Sequence, residues 1–173
     1  MSSDINSSQE KDLELVKLIK KGDNKALDSL LELYIPLLNA FFHYIHVPED
    51  SVEDLIQETF ERMIKKIDSF DEDKRFATWL MTIGRNLYID QYRRKIKSEE
   101  LVFEEKQDNS WIDPEKEVVG KISVEELLKN LSDKEKFLIE MRVFKQMPFS
   151  DISEVTGETE TSLRSRFFRT LSR

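Results

Sequence analysis

Apolar side chains recur every three or four residues along most of the chain, which is the spacing of amphipathic helices. A first stripe covers residues 13–20 and, after a polar break at residues 22–24, resumes over residues 26–34. Pro36 and Pro48 bracket another apolar segment. The sequence contains no sustained alternation of apolar and polar residues and no Asn-Gly or Asp-Gly hairpin signal. The pattern therefore predicts an all-α protein.

The same periodicity divides the chain into parts. Two further helices are predicted, one from a polar start at residues 49–51 to Ile67 and one from Phe76 to Lys97. The sequence then becomes acidic and polar, with a Pro at position 114, before periodicity returns at Ile122. We predict four parts: a disordered N-terminus at 1–10, a helical domain at 11–98, a flexible acidic linker at 99–121 and a second helical domain at 122–173.

The second domain has the pattern of a helix-turn-helix. Ser132 and Glu135 form a capping box that opens a helix with an apolar side. That side carries Phe137, Leu138, Met141 and Phe144. A short helix over residues 149–156 ends at Gly157, and a last helix follows the polar turn 158–161. Two short helices joined by a Gly-containing turn are typical of helix-turn-helix DNA-binding domains.

The last helix is predicted to have two distinct faces. At 100° per residue, the inward face consists of Leu163, Phe167 and Leu171. The opposite face consists of Ser162, Ser165, Arg166 and Arg169. Such a face suits a DNA major groove, because Arg can bridge two guanine acceptors and Ser can reach phosphates or base edges. An ordinary helical hairpin with a solvated basic face is the alternative.

The helix that begins at Phe76 also has a polar face. Its apolar strip consists of Phe76, Leu80, Ile83 and Leu87. The roughly opposite face consists of Thr82, Arg85, Asn86, Ile89 and Arg93. An Asn among Arg residues suggests hydrogen bonding to a base edge, with the cations on the DNA backbone. Unpaired bases could also stack on Phe70, Phe76 or Tyr92, although Phe76 and Trp79 are expected in the core.

The distribution of charge favours binding of nucleic acid by particular segments rather than by the chain as a whole. The 173 residues carry a net charge of −8, which disfavours binding of DNA by the chain as a whole. The charges alternate in blocks, however. Residues 75–98 contain six bases and one acid, and residues 160–173 contain four bases and one acid, whereas residues 49–73 and 99–119 are acidic. The alternative for each block is a solvated surface of mixed charge.

Several classes of function are disfavoured. The chain has no Cys, which excludes disulfides, thiol nucleophiles and cysteine metal sites. His43 and His46 are interpreted as packing residues, and no catalytic constellation stands out, so we expect no metal, no cofactor and no enzymatic activity. No apolar run is long enough for membrane insertion, and the polar N-terminus lacks a secretory signal, which favours a cytoplasmic protein.

Three motifs follow one another in a defined order. They are Asp54-Leu55-Ile56-Gln57-Glu58 with Thr59-Phe60; Phe76-Ala77-Thr78-Trp79-Leu80 with Ile83, Arg85-Asn86-Leu87, Asp90 and Arg93-Arg94; and Leu131-Ser132 with Leu163-Arg164-Ser165-Arg166 and Arg169. Over nearly its whole length the chain thereby resembles the extracytoplasmic-function (ECF) group of bacterial sigma factors in the sigma-70 family. The motifs look like segment 2.2, segments 2.3 and 2.4, and region 4.

The resemblance implies a transcription initiation subunit that binds core RNA polymerase. In the family the 2.2 helix docks on the clamp coiled coil of the largest catalytic subunit, and region 4 contacts the flap of the other large subunit. The residues carried over to the clamp contact are Asp54, Leu55, Gln57 and Glu58. Residues three and four apart lie on one helix face, where carboxylates can meet Arg on a partner.

The resemblance also implies promoter DNA as a partner. The minus-ten element would bind as a melted strand to the 2.3 and 2.4 helix and to the loop at residues 69–75, which captures a flipped base in the family. The residues carried over to this contact are Arg85, Asn86, Arg93 and Arg94, with Asn86 as the base reader. The duplex minus-thirty-five element would meet Thr161, Ser162, Arg164, Ser165, Arg166 and Arg169.

The resemblance further implies that the acidic linker threads through the polymerase and that an anti-sigma factor regulates the protein. Two positions depart from the family: Glu158 replaces a usually apolar turn residue, and Phe168 stands where His is common. Two other functions remain open. A free-standing helix-turn-helix repressor would dimerise on a palindromic duplex without polymerase. A helical adaptor would have no nucleic-acid role.

Overall fold

The computed structural model of the protein describes residues 3–99 and 131–172, and the side chains of residues 8–98 and 131–172. Its helices are α1 (Ser3–Lys20), α2 (Asn24–Tyr44), α3 (Glu49–Lys66), α4 (Phe76–Glu99), α5 (Asp133–Ile139), α6 (Phe149–Thr156) and α7 (Glu160–Leu171). A 3₁₀ turn, Ile67–Ser69, follows α3, and a π-helical turn, Glu140–Phe144, follows α5. The described residues form no strand, which confirms the all-α prediction. The predicted linker lies outside them apart from Glu99.

Side-chain caps explain where several helices begin. Asp23 Oδ1 accepts hydrogen bonds from the backbone N–H groups of Lys25 and Ala26, at 2.9 and 3.1 Å, and so starts α2. Ser132 and Glu135 form the expected capping box at α5. Thr159 caps α7 through the N–H of Ser162. Each cap satisfies backbone donors that have no partner inside the helix and contributes about 1 kcal/mol.

Two boundaries differ from the sequence expectation. Helix α1 begins at Ser3, within the segment 1–10 that was expected to be disordered. Pro36 lies inside α2 rather than at a helix end. A proline removes one hydrogen bond from the helix, but the next turn buries Leu37, Leu38 and Phe41, and this packing offsets the loss.

The first domain, α1 to α4, is built around aromatic side chains. Tyr34 and Phe76 meet edge to face with their ring centroids 5.3 Å apart. The Tyr34 hydroxyl donates a hydrogen bond of 2.6 Å to the buried carboxylate of Asp12. Burial raises the pKa of Asp12 against the opposing effect of this hydrogen bond. Gly84 allows α4 to approach α2, since a Cβ there would lie 2.9 Å from Phe42 Cζ.

The second domain, α5 to α7, is the predicted helix-turn-helix with two corrections. Leu163 and Phe167 point inward as expected, but Leu171 is 59% exposed and Thr170 is buried in the interior position of the last turn. Phe144 is 69% exposed rather than part of the apolar side of α5. It lies in the π-helical turn, where each residue rotates less around the helix axis than in an α-helix, so the apolar stripe does not continue.

The two domains pack against each other. Phe137 of α5 is buried against Tyr44 and Phe41 of α2, with ring centroids 4.5 and 6.0 Å away. Helix α6 packs on α4. Buried apolar residues of both domains therefore form one continuous cluster. Among the described helices, none has the length and apolar character needed to span a bilayer.

Candidate nucleic-acid interface

The acidic face of α3 consists of Asp54, Gln57 and Glu58. The side chains of Asp54 and Gln57 are exposed to solvent, and Gln57 Nε2 donates a hydrogen bond of 3.2 Å to Glu61. Glu58 is half-buried and accepts a hydrogen bond of 2.8 Å from Gln91 Nε2 of α4. This face presents polar atoms at i, i+3 and i+4, as the sequence predicted.

Leu55 belongs to the same predicted docking motif but lies in the core. Its side chain is 1% exposed and is part of the apolar cluster of the first domain. In this arrangement Leu55 supports α3 from within and presents no surface to a partner. The motif therefore contains surface residues together with a residue that anchors the helix.

The polar face of α4 borders a cationic groove next to α3. Asn86 and Arg93 are exposed, and they line a groove of about 600 Å³. The groove is lined by Arg62, Lys66, Ile83, Arg85, Asn86, Ile89, Asp90 and Arg93. The sequence pattern did not indicate Arg62 and Lys66, because they lie in an acidic segment; their position near the end of α3 was the available signal. The groove can attract a phosphate backbone while Asn86 reaches a base edge.

The aromatic residues near the start of α4 form a packed cluster. Phe70 lies 4.9 Å from Trp79 and 5.5 Å from Phe76 between ring centroids. Phe70 and Phe76 are buried, so the suggestion that bases stack on them does not hold in this structure. Tyr92, which is 55% exposed, remains accessible. Arg94 is also exposed, farther along the helix.

Most of the predicted groove-facing residues of α7 are exposed. They are Thr161, Ser162, Arg164, Ser165 and Arg169. Arg164 forms an i,i+4 ion pair of 3.1 Å with Glu160, and its guanidinium lies 5.0 Å from the ring centre of Phe149. These residues share one side of the helix and are available to a DNA duplex.

Arg166 differs from its neighbours because it is held at the domain boundary. Its two terminal nitrogens donate hydrogen bonds to Glu158, at 3.2 Å to Oε1 and 2.7 Å to Oε2. Arg166 Nη1 also donates to the hydroxyl of Tyr44 on α2, at 2.8 Å, and the Tyr44 hydroxyl donates to Glu158. The Arg166 side chain is 22% exposed. The structure therefore joins one predicted DNA contact to a residue of the other domain.

Electrostatics favour this arrangement. Burial by itself would raise the pKa of the Glu158 carboxyl, but the hydrogen bonds from Arg166 and Tyr44 outweigh it and lower the pKa. Burial is the largest cause that raises the pKa of the Tyr44 hydroxyl, and the hydrogen bond to Glu158 raises it further. Glu158 is therefore ionised and Tyr44 is neutral at physiological pH. The departure of Glu158 from the family pattern was the sequence signal for this contact.

Helix α6 meets the start of α4 through Asp151. The Asp151 carboxylate accepts a hydrogen bond of 3.0 Å from Thr78 Oγ1 and lies 3.8 Å from Arg75 Nε. Arg85 lies beside Gly157, the left-handed C-cap of α6, because a Cβ on Gly157 would come within 2.8 Å of Arg85 Nη2. Nothing in the sequence pattern paired these residues, since they belong to separate domains.

Both domains match models of known families. A model described as Sigma-70 region 2 matches residues 30–97, and a model described as Sigma-70, region 4 matches residues 121–173. The first match contains the acidic face of α3 and the polar face of α4. The second contains the helix-turn-helix.

Several curated proteins are similar in sequence. The ECF RNA polymerase sigma factor SigW of Bacillus subtilis is 36% identical over 46% of this chain and 43% of its own length. The ECF sigma factor BldN of Streptomyces coelicolor is 27% identical over 93% of this chain and 64% of its own length. The matches thus span less than two thirds of these two relatives. The ECF sigma-E factor of Haemophilus influenzae is 26% identical over 91% and 90% of the respective chains.

Two solved structures share the fold. The sigma factor RpoE in complex with the anti-sigma factor NepR, from Bartonella quintana, gives a TM-score of 0.50 at 27% identity, covering 86% of this chain and 93% of that chain. CnrH in complex with the cytosolic domain of CnrY gives a TM-score of 0.53 at 20% identity, covering 94% and 93%. The first likeness extends to sequence, whereas the second concerns the fold alone.

Proposed function

The chain belongs to the ECF group of the sigma-70 family, and from this premise we propose that it is an alternative sigma factor that binds core RNA polymerase and directs promoter-specific transcription initiation. The observation that carries the proposal is the groove beside α4, where Asn86 lies among four Arg and Lys side chains within the region 2 match. Sigma factors initiate transcription and are not enzymes, in agreement with the sequence expectation.

The acidic face of α3 is the proposed contact to polymerase. Asp54 and Gln57 are exposed, and an acidic helix face complements a basic partner surface such as the clamp of the largest subunit. Region 4 would contact the flap of the other large subunit. The chain's net charge of −8 disfavours binding to free DNA. The proposed contacts with polymerase compensate, because they hold the chain next to the promoter.

The faces of α4 and α7 are the proposed promoter readers. Asn86 would hydrogen-bond a base of the melted minus-ten strand, while Arg85, Arg93 and Arg94 hold its phosphates. The α7 residues would contact the duplex minus-thirty-five element, with Ser162, Ser165 and Arg169 already exposed. Once polymerase holds both domains, the second DNA contact becomes intramolecular and therefore more probable.

Regulation and location follow from the same proposal. The similar sigma factor RpoE of Bartonella quintana is found in complex with the anti-sigma factor NepR. We infer that this chain also has an anti-sigma partner. Its place of action is the cytoplasm, where polymerase and the chromosome are found.

The proposal is tested by reconstitution. The purified chain is mixed with core polymerase, tested for co-elution, and then used for run-off transcription on fragmented genomic DNA with sequencing of the transcript starts. We expect co-elution and new starts that share two upstream elements. Core polymerase alone is the control. Failure to bind core, or an unchanged set of starts, would contradict the proposal.

A gel shift with the chain alone separates sigma function from the repressor alternative. At physiological salt we expect negligible promoter binding without polymerase, because the basic faces are small and the acidic blocks repel phosphate. Tight binding of the chain alone to a palindromic duplex would favour the repressor. Absence of any role with polymerase or DNA would favour the adaptor.

A further inference from the structure

The contacts between the two domains involve side chains that the proposed function assigns to DNA. Arg75 belongs to the loop proposed to hold a flipped base, Arg85 to the minus-ten face and Arg166 to the minus-thirty-five face. In the structure, Arg75 and Arg85 lie against a carboxylate and a helix C-terminus of the second domain. Arg166, which is itself in the second domain, donates to Glu158 and to Tyr44 of the first domain. The three arginines thus take part in three separate contacts.

The first contact places a carboxylate at the entrance of the minus-ten site. Asp151 Oδ2 lies 3.8 Å from Arg75 Nε and accepts the Thr78 hydroxyl hydrogen bond at 3.0 Å. The side chains of Arg75 and Asp151 are only 28% and 25% exposed. An anionic oxygen that meets a guanidinium and a hydroxyl in this way has the chemistry of a bound phosphate oxygen.

The second contact places Arg85 at the C-terminus of α6. The carbonyl end of a helix carries a partial negative charge, which favours a nearby cation. Gly157 has φ of +77° and no side chain, so the guanidinium of Arg85 can lie directly over it. A promoter strand that binds Arg85 must therefore displace the helix end.

The third contact ties the recognition helix to the first domain. Glu158 binds both terminal nitrogens of Arg166, and Tyr44 of α2 hydrogen-bonds to both of these side chains. An apolar residue at position 158, as the family resemblance led us to expect, would provide no carboxylate for this network. Three of the five N–H donors of Arg166 are occupied by Glu158 and Tyr44, so Arg166 cannot offer its two terminal nitrogens together to a base while these contacts last.

We propose, on the basis of the proposed function, that the second domain masks the promoter-binding surface of the first in the free chain, with Asp151 as an intramolecular substitute for a DNA phosphate and Glu158 as the partner of Tyr44 across the domain boundary. The masked surface comprises Arg75, Thr78 and Arg85. The same packing occupies Arg166. Promoter binding then requires separation of the domains, which also exposes the apolar contact between Phe137 and Tyr44.

The acidic face of α3 takes no part in the domain contact. Asp54 and Gln57 are exposed, while Arg75, Arg85 and Arg166 are partly covered. Polymerase can therefore dock on the closed chain through α3, whereas DNA can engage the complete promoter-binding surface only after opening. Masking thus sets an order of events, with polymerase first and promoter second.

The chain has no Cys, which permits a direct test by cross-linking. In Thr78→Cys/Asp151→Cys, the new thiols are joined by a short bis-maleimide that a reductant can cleave. We expect efficient intramolecular cross-linking of the free chain, and co-elution of the cross-linked chain with core polymerase. Run-off transcription by the cross-linked chain should be about tenfold or more below that of the same double variant after the cross-linker is cleaved.

Different failures have different meanings. Poor cross-linking in the free chain would overturn the closed arrangement. Unchanged transcription, or loss of core binding, by the cross-linked chain would overturn masking of the promoter site. A wild-type chain that never initiates transcription would instead contradict the proposed function, while its closed arrangement would still be measured by cross-linking. The cleaved sample controls for the two substitutions.

A matched pair of variants tests the role of Glu158. Glu158→Gln is added to the double-cysteine chain, and Glu160→Gln is its control, since Glu160 pairs with Arg164 inside α7 rather than with a residue at the domain boundary. We expect the initial rate of cross-linking to fall about twofold or more with Glu158→Gln and to stay unchanged with Glu160→Gln. Equal rates in both variants would overturn the assignment of Glu158.

Discussion

The acidic face of α3 and the basic faces of α4 and α7 differ in accessibility. Asp54 and Gln57 face solvent, whereas Arg85 and Arg166 lie against the other domain. One surface is therefore available to a partner from the start, and the other is available only in part. Under the proposed function, this difference means that the residues assigned to DNA become fully accessible only when a partner holds the chain.

The contacts that cover the basic residues are suited to reversal. Partly exposed ion pairs contribute about 0–1 kcal/mol each, so Arg75 with Asp151 is a weak restraint. The pair of Arg166 with Glu158 lies within the second domain and is joined to the first through Tyr44. The packing of Phe137 between Phe41 and Tyr44 contributes apolar burial and adds to them. Polymerase binding has to outweigh only the sum of these contacts to release the promoter-reading helices.

The largest expected effect is a loss of polymerase affinity when the acidic face of α3 is altered. Asp54→Lys places a cation where a basic partner surface is proposed, without touching a buried contact, since Asp54 is exposed. We expect at least about a thirtyfold loss of affinity for core polymerase, which corresponds to roughly 2 kcal/mol for a disrupted interfacial charge pair. The measurement is a titration of labelled chain with core polymerase.

The control for this variant is Glu53→Lys. Glu53 is also an exposed acid of α3, so the two variants have the same net charge. It lies about 100° around the helix from Asp54 and therefore on a different face. An equal loss in both would indicate a general charge effect rather than a docking face, and would remove the contrast between the two surfaces.

The next effect concerns the part of the basic surface that remains uncovered. Asn86 is exposed beside the cationic groove, and we expect Asn86→Ala to lose about tenfold in promoter discrimination, as for one base-edge contact of 1–3 kcal/mol. The measurement is open-complex formation with polymerase on a consensus promoter and on minus-ten variants. Wild-type and variant should differ at one base position only, and a uniform loss across all templates would contradict base reading by Asn86.

A glycine pair isolates the contact between Arg85 and α6. Gly22 and Gly157 have φ of +86° and +77°, so alanine strains both, by roughly 1–2 kcal/mol. Only at Gly157 would the new Cβ meet a neighbour, Arg85 Nη2 at 2.8 Å, whereas Gly22 has none within 4 Å. Because Arg85 Nη2 ends a flexible side chain that can move aside, we expect Gly157→Ala to be less stable than Gly22→Ala by no more than about 0.5 kcal/mol in urea unfolding. The difference should vanish in an Arg85→Ala background, and its persistence there would contradict the contact.

The smallest effect is a pH dependence of the closed arrangement. Because hydrogen bonds lower the pKa of Glu158, its contribution to stability is present above its ordinary value of 4.5 and is lost as pH falls through the lowered pKa. Small-angle scattering should show constant dimensions from neutral pH down to about that value and expansion below it. Glu158→Gln should flatten the part of the transition due to this group, and an identical transition in both proteins would contradict its role.

The sequence predicted the elements of this fold better than their arrangement. Local signals, such as the Ser132 capping box and the break at Gly22, fix where helices begin and end, and the structure reproduces them. Pro36 misled the prediction because tertiary packing, which is not local, outweighs its effect. Leu171 misled it because periodicity cannot tell where the core ends along a helix.

The candidate site shows the same division. Exposure of Asn86, Arg93 and Arg169 was predictable from helical periodicity alone. The pairing of Asp151 with Thr78 was not, because it depends on how two domains meet across 72 intervening residues. Glu158 was visible in the sequence as an unusual residue, but its partner Tyr44 lies 114 positions away in the chain.

The close approach at Gly84 restricts how the molecule can open. A Cβ at this position would lie 2.9 Å from Phe42 Cζ and 3.2 Å from Thr59 Oγ1, so α2, α3 and α4 are closely packed where they cross. This close packing favours movement of α2, α3 and α4 together as one rigid body. Asn86 and the groove beside it therefore keep the same geometry before and after the proposed separation of the domains. The promoter strand would bind a preformed surface.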